Sequence, residues 1–277
     1  MTMTGIVAAS HRRPRRLADP AMYSGNARVV LWRGWRVASR THVGVMISGF
    51  FEPIFYLLSF GIGLGAMVGT VTAPDGRAIP YAAYIAPALL ATSAMNGAIY
   101  DSTWNVFFKL NHSKLYDGML ATRLGPLDVA LGEIGVALIR GAVYAAGFMV
   151  VMTALGLNLS WWALAALPAT VLIAFGFAAL GMAVTSYLRT FQQMDWINFV
   201  LLPMFLLSAT FYPLSVYPVG VQWFIQAMPL WHAVELVRSL TTGAVHPAIL
   251  WHVAYFGVLC LVGIRFTAAR LRALFLT

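Results

Sequence analysis

Six stretches of this chain, at about residues 43–67, 81–104, 130–156, 161–187, 196–213 and 248–267, stay apolar over eighteen residues or more. About 20 apolar residues in a helix cross a hydrocarbon core of roughly 30 Å. In lipid a segment has to satisfy its own backbone polar groups, so these runs predict six transmembrane helices and exclude isolated strands. The breaks between them carry turn chemistry, in Ala73-Pro-Asp-Gly-Arg-Ala-Ile-Pro80 and in the very short Leu157-Asn-Leu-Ser160. Only 10% of the residues are charged, against about 25% in a soluble domain. The fold class expected is an all-α integral membrane protein.

Arginine sets the orientation. Lysine occurs only at Lys109 and Lys114, so the net charge of +9 is almost wholly arginine. With the N-terminus inside, fifteen Lys and Arg fall in inside segments and only Arg77 and Arg238 fall outside, with Arg140 within a span. That bias predicts both termini in the cytoplasm. The basic balance therefore belongs to membrane topology and not to nucleic acid. Residues 1–25 hold arginines but no apolar period and are expected to form a mobile basic segment. With no apolar h-region or cleavage site before residue 42, the first span is expected to be retained. Between them, residues 26–41 predict an amphipathic helix in the cytoplasmic interface, with Arg33, Arg36 and Arg40 on one face and Leu31 and Trp35 roughly opposite.

Where a polar loop is expected after the fifth span, the chain remains apolar and aromatic from Phe211 to Leu230. Pro213 and Pro218 break the descending helix and Pro229 separates two short helices, about 219–228 and 231–242. Residues 214–243 thus read as an outer hairpin that folds back before the last span. Glu235 and Arg238 stand three apart on one face of it and are placed to pair.

Ionisable residues within spans cost about 2.5–3.5 kcal/mol each on insertion scales. Glu52 and Arg140 lie at similar depth, so an intramembrane pair between spans 1 and 3 is expected, with Glu133 as a rival partner for Arg140. Pro53 is expected to loosen span 1, and Gly61 and Gly65 offer a GxxxG contact. After span 2 the segment 105–118 mixes Phe107, Leu115 and Tyr116 with Lys109 and His112, a composition suited to docking in a groove of a soluble partner.

No catalytic residues are expected. The histidines are dispersed along the chain, Cys260 is the single cysteine, and neither HExxH nor GxSxG occurs, so no metal site is predicted. A Walker A loop is also missing, since Lys109 and Lys114 are each followed by leucine and lack upstream glycines. ATP and Mg, if used, would be bound by a separate subunit.

These features resemble the ABC-2 type permeases. The stretch Gln193–Ser215, together with Ala121–Glu133, looks particularly like the permease of nodulation lipo-oligosaccharide exporters. Pro229–Arg238 followed by Gly243 resembles the general family signature before the final span. The resemblance covers roughly residues 28–267, which makes 26–277 one transmembrane domain. It implies a bacterial plasma-membrane exporter of a lipid-linked glycan, lipo-oligosaccharide, lipid or hydrophobic drug. It further implies two ABC ATPase subunits and a second permease copy or paralogue. On that analogy 105–118 is the coupling segment, with Arg33 and Arg36 also near the ATPase. Phe51, Tyr56, Phe205, Phe211 and Tyr212 would line the cargo path between spans 1 and 5 of opposite protomers. An ion-coupled secondary transporter would instead show repeated halves, and a membrane-embedded enzyme a convergent cluster of acid, histidine or metal ligands.

Overall fold

The structure, a computed structural model, describes residues 22–40, 51, 53–73 and 76–275. Residues 1–21, most of the first third of span 1 and Glu52 lie outside the described residues. In chain order the helices are α1 (Ala27–Arg40), α2 (Pro53–Val68), α3 (Tyr81–His112), α4 (Leu115–Leu120), α5 (Pro126–Ala154), α6 (Ala163–Thr185), α7 (Asp195–Leu207), α8 (Val219–Ala227), α9 (Pro229–Thr242) and α10 (Ala248–Phe275). Among the described residues four of them, α3, α5, α6 and α10, are long and apolar enough to cross a membrane. The loop expected after α2 contains a small antiparallel hairpin, β1 (Thr70–Thr72) on β2 (Ala78–Pro80), with Val71 opposite Ile79.

The central element is α3, which is buried along nearly its whole apolar length. Its crossing with α5 is set by two glycines. A Cβ on Gly97 would stand 3.1 Å from the Gly141 Cα and 2.8 Å from the Tyr144 ring. That contact admits no side chain, and it brings the polar face of α3 against Arg140 and Tyr144.

One carboxylate organises the start of the bundle. Asp128 accepts from the Gly125 amide (2.9 Å) at the first turn of α5, and from the Ser24 amide (2.7 Å), the Ser24 hydroxyl (2.9 Å) and the Asn26 amide (2.7 Å) at the entry to α1. It therefore caps two helices, satisfying amides that have no intrahelical partner. Gly132 then lets α1 lie directly on α5, because a Cβ there would meet Val30 at 2.4 Å.

Two boundaries differ from the hydropathy reading. The second span does not end near residue 104 but continues as one helix to His112. The fifth run is helical only to Leu207. Beyond it the Ser208 hydroxyl donates to the Met204 carbonyl and Thr210 to the Phe205 carbonyl at 2.9 Å, while Ala209 takes a left-handed φ of 53°. Hydroxyls thus take over bonds that further helical amides would have made, and Pro213 cannot donate one. At the other end of the hairpin, α9 closes on Gly243 in the left-handed conformation (φ 82°).

Candidate functional site

Helical spacing builds one polar wall. Thr92, Asn96, Tyr100 and Trp104 follow at four-residue intervals on α3 and share a face. Arg140 and Tyr144, also four apart, approach from α5. Together with Pro53 and Tyr56 of α2 and Asn198, Leu201 and Phe205 of α7, they line a cavity of about 490 Å³. Its chemistry is divided: Leu201, Tyr56 and Phe205 offer apolar and aromatic surface, whereas Asn96, Asn198, Tyr144 and Arg140 offer donors and acceptors.

Arg140 is held by Asp101, with Nε 2.8 Å from Oδ2, and the Asn105 side chain donates to the same carboxylate. Glu52, the partner expected for Arg140, lies outside the described residues. Glu133, the rival, is bound to Lys109 at 2.6 Å and not to Arg140. By hydropathy alone Asp101 stands near the end of the second apolar run, with no partner indicated. Its role follows from the Gly97–Gly141 crossing, which hydropathy does not register.

Of the five aromatic residues expected along a cargo path, Tyr56 and Phe205 line the cavity, their ring centroids 5.6 Å apart. Phe211 is buried behind them, 5.3 Å from Phe205 and 4.9 Å from Phe60, so these rings tie α7 to α2 within one chain. Phe51, stacked on Phe55, and Tyr212 are exposed away from the cavity.

At the hairpin end, Arg238 is 1% exposed and bonded on every side. It pairs with Glu235 at 2.6 Å and donates to the carbonyls of Ala209 (2.9 Å) and Tyr84 (3.3 Å). Its guanidinium also lies 4.0 Å from the centre of the Tyr84 ring. Arg77 reaches from the β-hairpin to the Thr242 carbonyl at the end of α9 (2.8 Å). The histidines are not all dispersed: His232 and His252 are buried with Nδ1 atoms 2.8 Å apart, one donating and the other accepting. Among the described residues no group of three or more His, Cys, Asp and Glu is arranged to hold a metal ion.

At the opposite end the expected docking residues divide. Phe107 and Tyr116 are both 1% exposed and face inward, because the segment is packed as a continuation of α3 and a return turn on α5. Leu115 is half-buried. Lys109 is taken by Glu133, and Arg33 is half-buried, while Arg36 is exposed with its guanidinium 4.0 Å from the Trp32 ring. The outward surface is formed by Phe108, His112, Lys114 and Asp117, with Lys114 in the left-handed conformation (φ 45°) at the turn. All four lie in the expected 105–118 segment, but of them only His112 is among the residues expected to make the docking contact.

Residues 26–241 match the family model described as ABC-2 type transporter. The chain is 31% identical over 226 residues to Nodulation protein J of Rhizobium leguminosarum bv. trifolii, covering 80% of this chain and 82% of that protein. It is 30% identical to Nodulation protein J of Rhizobium leguminosarum bv. viciae, over 84% of this chain and 88% of the relative. It is 32% identical to Nodulation protein J of Sinorhizobium fredii (strain NBRC 101917 / NGR234), over 76% and 79%.

Proposed function

Because the chain belongs to the ABC-2 type transporter family, a multi-pass protein of the bacterial inner membrane, we propose that it moves an amphiphile with a polar, sugar-like head and an apolar tail. Lipo-oligosaccharides and lipid-linked glycans are the cargo class. The observation that carries this reading is the divided wall of the cavity between α2, α3, α5 and α7. Tyr56, Phe205 and Leu201 suit an acyl chain or the apolar face of a sugar ring. Asn96 and Asn198 each present both a donor and an acceptor, which suits hydroxyl groups. Among the described residues that line it, the one cation is Arg140, which is already paired with Asp101, and this favours an uncharged head over a phosphate.

We read the chain as six spans with both termini cytoplasmic. The arginine distribution supports this, and so does the geometry: α1 packs at the start of α5, while Arg270 near the end of α10 donates to the Ser186 carbonyl at the end of α6 (3.2 Å). The 214–243 hairpin is then an outer-leaflet element. Val219, Trp223 and Phe224 on α8 are exposed, as a helix dipping into the outer leaflet requires. Energy comes from an ABC ATPase subunit, two copies per permease pair, docked on the surface around Phe108, His112 and Asp117.

Purification of the chain from bacterial membranes tests this reading. An ABC ATPase should co-purify, and its hydrolysis in nanodiscs should rise with an added lipo-oligosaccharide. Cargo movement driven by an ion gradient with no ATPase present would overturn it.

A further inference from the structure

On α3 the acid Asp101 and the base Lys109 stand eight residues apart, and on α5 the acid Glu133 and the base Arg140 stand seven apart. The helices run antiparallel, so the charges alternate across the seam and each meets its opposite: Asp101 with Arg140 at 2.8 Å, Lys109 with Glu133 at 2.6 Å. Seven residues of α-helix fall about 20° short of two turns. Eight residues overshoot two turns by about 80°. In a regular α-helix the two charges would therefore stand at opposite edges of one face.

α3 avoids the overshoot by changing its winding. It is π-helical over Asp101–Asn105 and again over Phe108–His112, and the Ser113 amide donates to the Phe108 carbonyl at 3.0 Å, an i→i+5 bond. The wider turn rotates less per residue, which brings Lys109 back toward the face that carries Asp101. Single π turns within α-helices are rare and concentrate at functional sites. Here the two π-wound segments hold the α3 members of both ion pairs, Asp101 and Lys109.

This seam lies between two surfaces. Above it, Asn96 and Tyr100 of the same helix face the cavity; below it, Phe108 and His112 form the exposed tip. Glu133 also stands beside α4: burial first, then the negative charge of Glu133, hold the Tyr116 phenol well above its ordinary value of 10.

We propose that Glu133 and Asp101 are positioning residues of the transport cycle, holding α3 in its π-wound register until the ATPase moves the 108–118 tip. Release of Lys109 from Glu133 lets α3 rewind, which turns Asp101 away from Arg140 and reshapes the cavity wall. The inference rests on the reading of this chain as an ATPase-driven permease.

A single cysteine placed in the cavity tests it without any cargo. Asn96→Cys is introduced with Cys260→Ser, and the complex with its co-purified ATPase is placed in nanodiscs. The rate of N-ethylmaleimide labelling is measured without nucleotide and with ATP plus vanadate. We expect a several-fold change in rate with nucleotide. Lys109→Gln or Glu133→Gln should abolish the change while the ATPase remains bound. Lys109→Arg, which keeps the charge, should retain it, and the Lys109→Glu, Glu133→Lys exchange should restore it. A nucleotide response that persists in both Gln variants overturns the proposal alone, as does its loss in Lys109→Arg. Failure of the parent protein to hold an ATPase overturns the functional reading and this proposal with it.

Discussion

Arg238 donates from Nη2 to the carbonyl oxygen of Ala209 at 2.9 Å, joining the hairpin helix α9 to the point where α7 comes apart. Ala209 is one of two non-glycine residues with positive φ among the described residues, and its carbonyl also accepts from the Tyr84 hydroxyl at 3.4 Å. A left-handed alanine is disfavoured on its own. It persists because Arg238 and Tyr84 satisfy the carbonyl that helix termination leaves bare. The break in the fifth apolar run and the charge inside the hairpin are therefore one structural feature.

Removing that charge should loosen the whole outer end. Arg238→Gln is expected to destabilise the protein by about 3–5 kcal/mol, the usual range for breaking a buried ion pair by deleting one partner. Thermal unfolding followed by size-exclusion in detergent measures it. The double change Arg238→Met, Glu235→Met should not recover fully, because the Ala209 and Tyr84 carbonyls each lose the donor that Arg238 supplies. Full recovery would mean that only the ion pair matters.

The Gly97–Gly141 crossing should tolerate no addition. Gly97→Ala places a methyl group 3.1 Å from the Gly141 Cα, and backbone cannot give way as a side-chain tip can. Overpacking of this kind costs about 1–3 kcal/mol. Gly220→Ala is the control: nothing lies within 4 Å of the added carbon, and removing a helical glycine should stabilise by about 0.5–1 kcal/mol. Equal melting temperatures for the two variants would contradict the packing described.

Asp128→Ala should release α1 before it unfolds the bundle. Four donors lose their acceptor at once, two of them amides at helix starts. Capping substitutions cost about 0.5–2 kcal/mol. Limited trypsin digestion should then cut at Arg28, Arg33 and Arg36 faster than in the parent, with the core fragment from α3 onward kept. Unchanged cleavage would show that the Gly132 contact alone holds the helix.

Much of this was legible in the sequence because a membrane imposes simple rules. Apolar length marked the long helices, and the prolines at 213, 218 and 229 marked the broken segment; Glu235 and Arg238 declared their pairing by spacing. What hydropathy could not register was which helix faces meet. Asp101 gains Arg140 only through the glycine crossing, and His232 meets His252, twenty positions further along the chain. The π winding of α3 was equally hidden, since no residue in Asp101–Asn105 marks it. Phe107 and Tyr116 were read as docking residues because composition does not say which side of an amphipathic segment its own bundle has already covered.

That last distinction separates folding from docking in one experiment. Phe107→Ala and Tyr116→Ala remove rings that are almost fully buried. Each should lower stability, by about 3–5 kcal/mol for the phenylalanine, and any loss of the ATPase should follow from unfolding. Phe108→Asp and Asp117→Arg change exposed positions on the same segment. They should leave the melting temperature within about a degree of the parent, since surface substitutions away from special features usually stay within about 0.5 kcal/mol. Co-purification of the ATPase should nevertheless fall sharply, with the permease still eluting as a folded particle. If Phe108→Asp and Asp117→Arg bind the ATPase as well as the parent does, the docking surface lies elsewhere, and the exposed face of α1 around Arg36 becomes the next surface to alter.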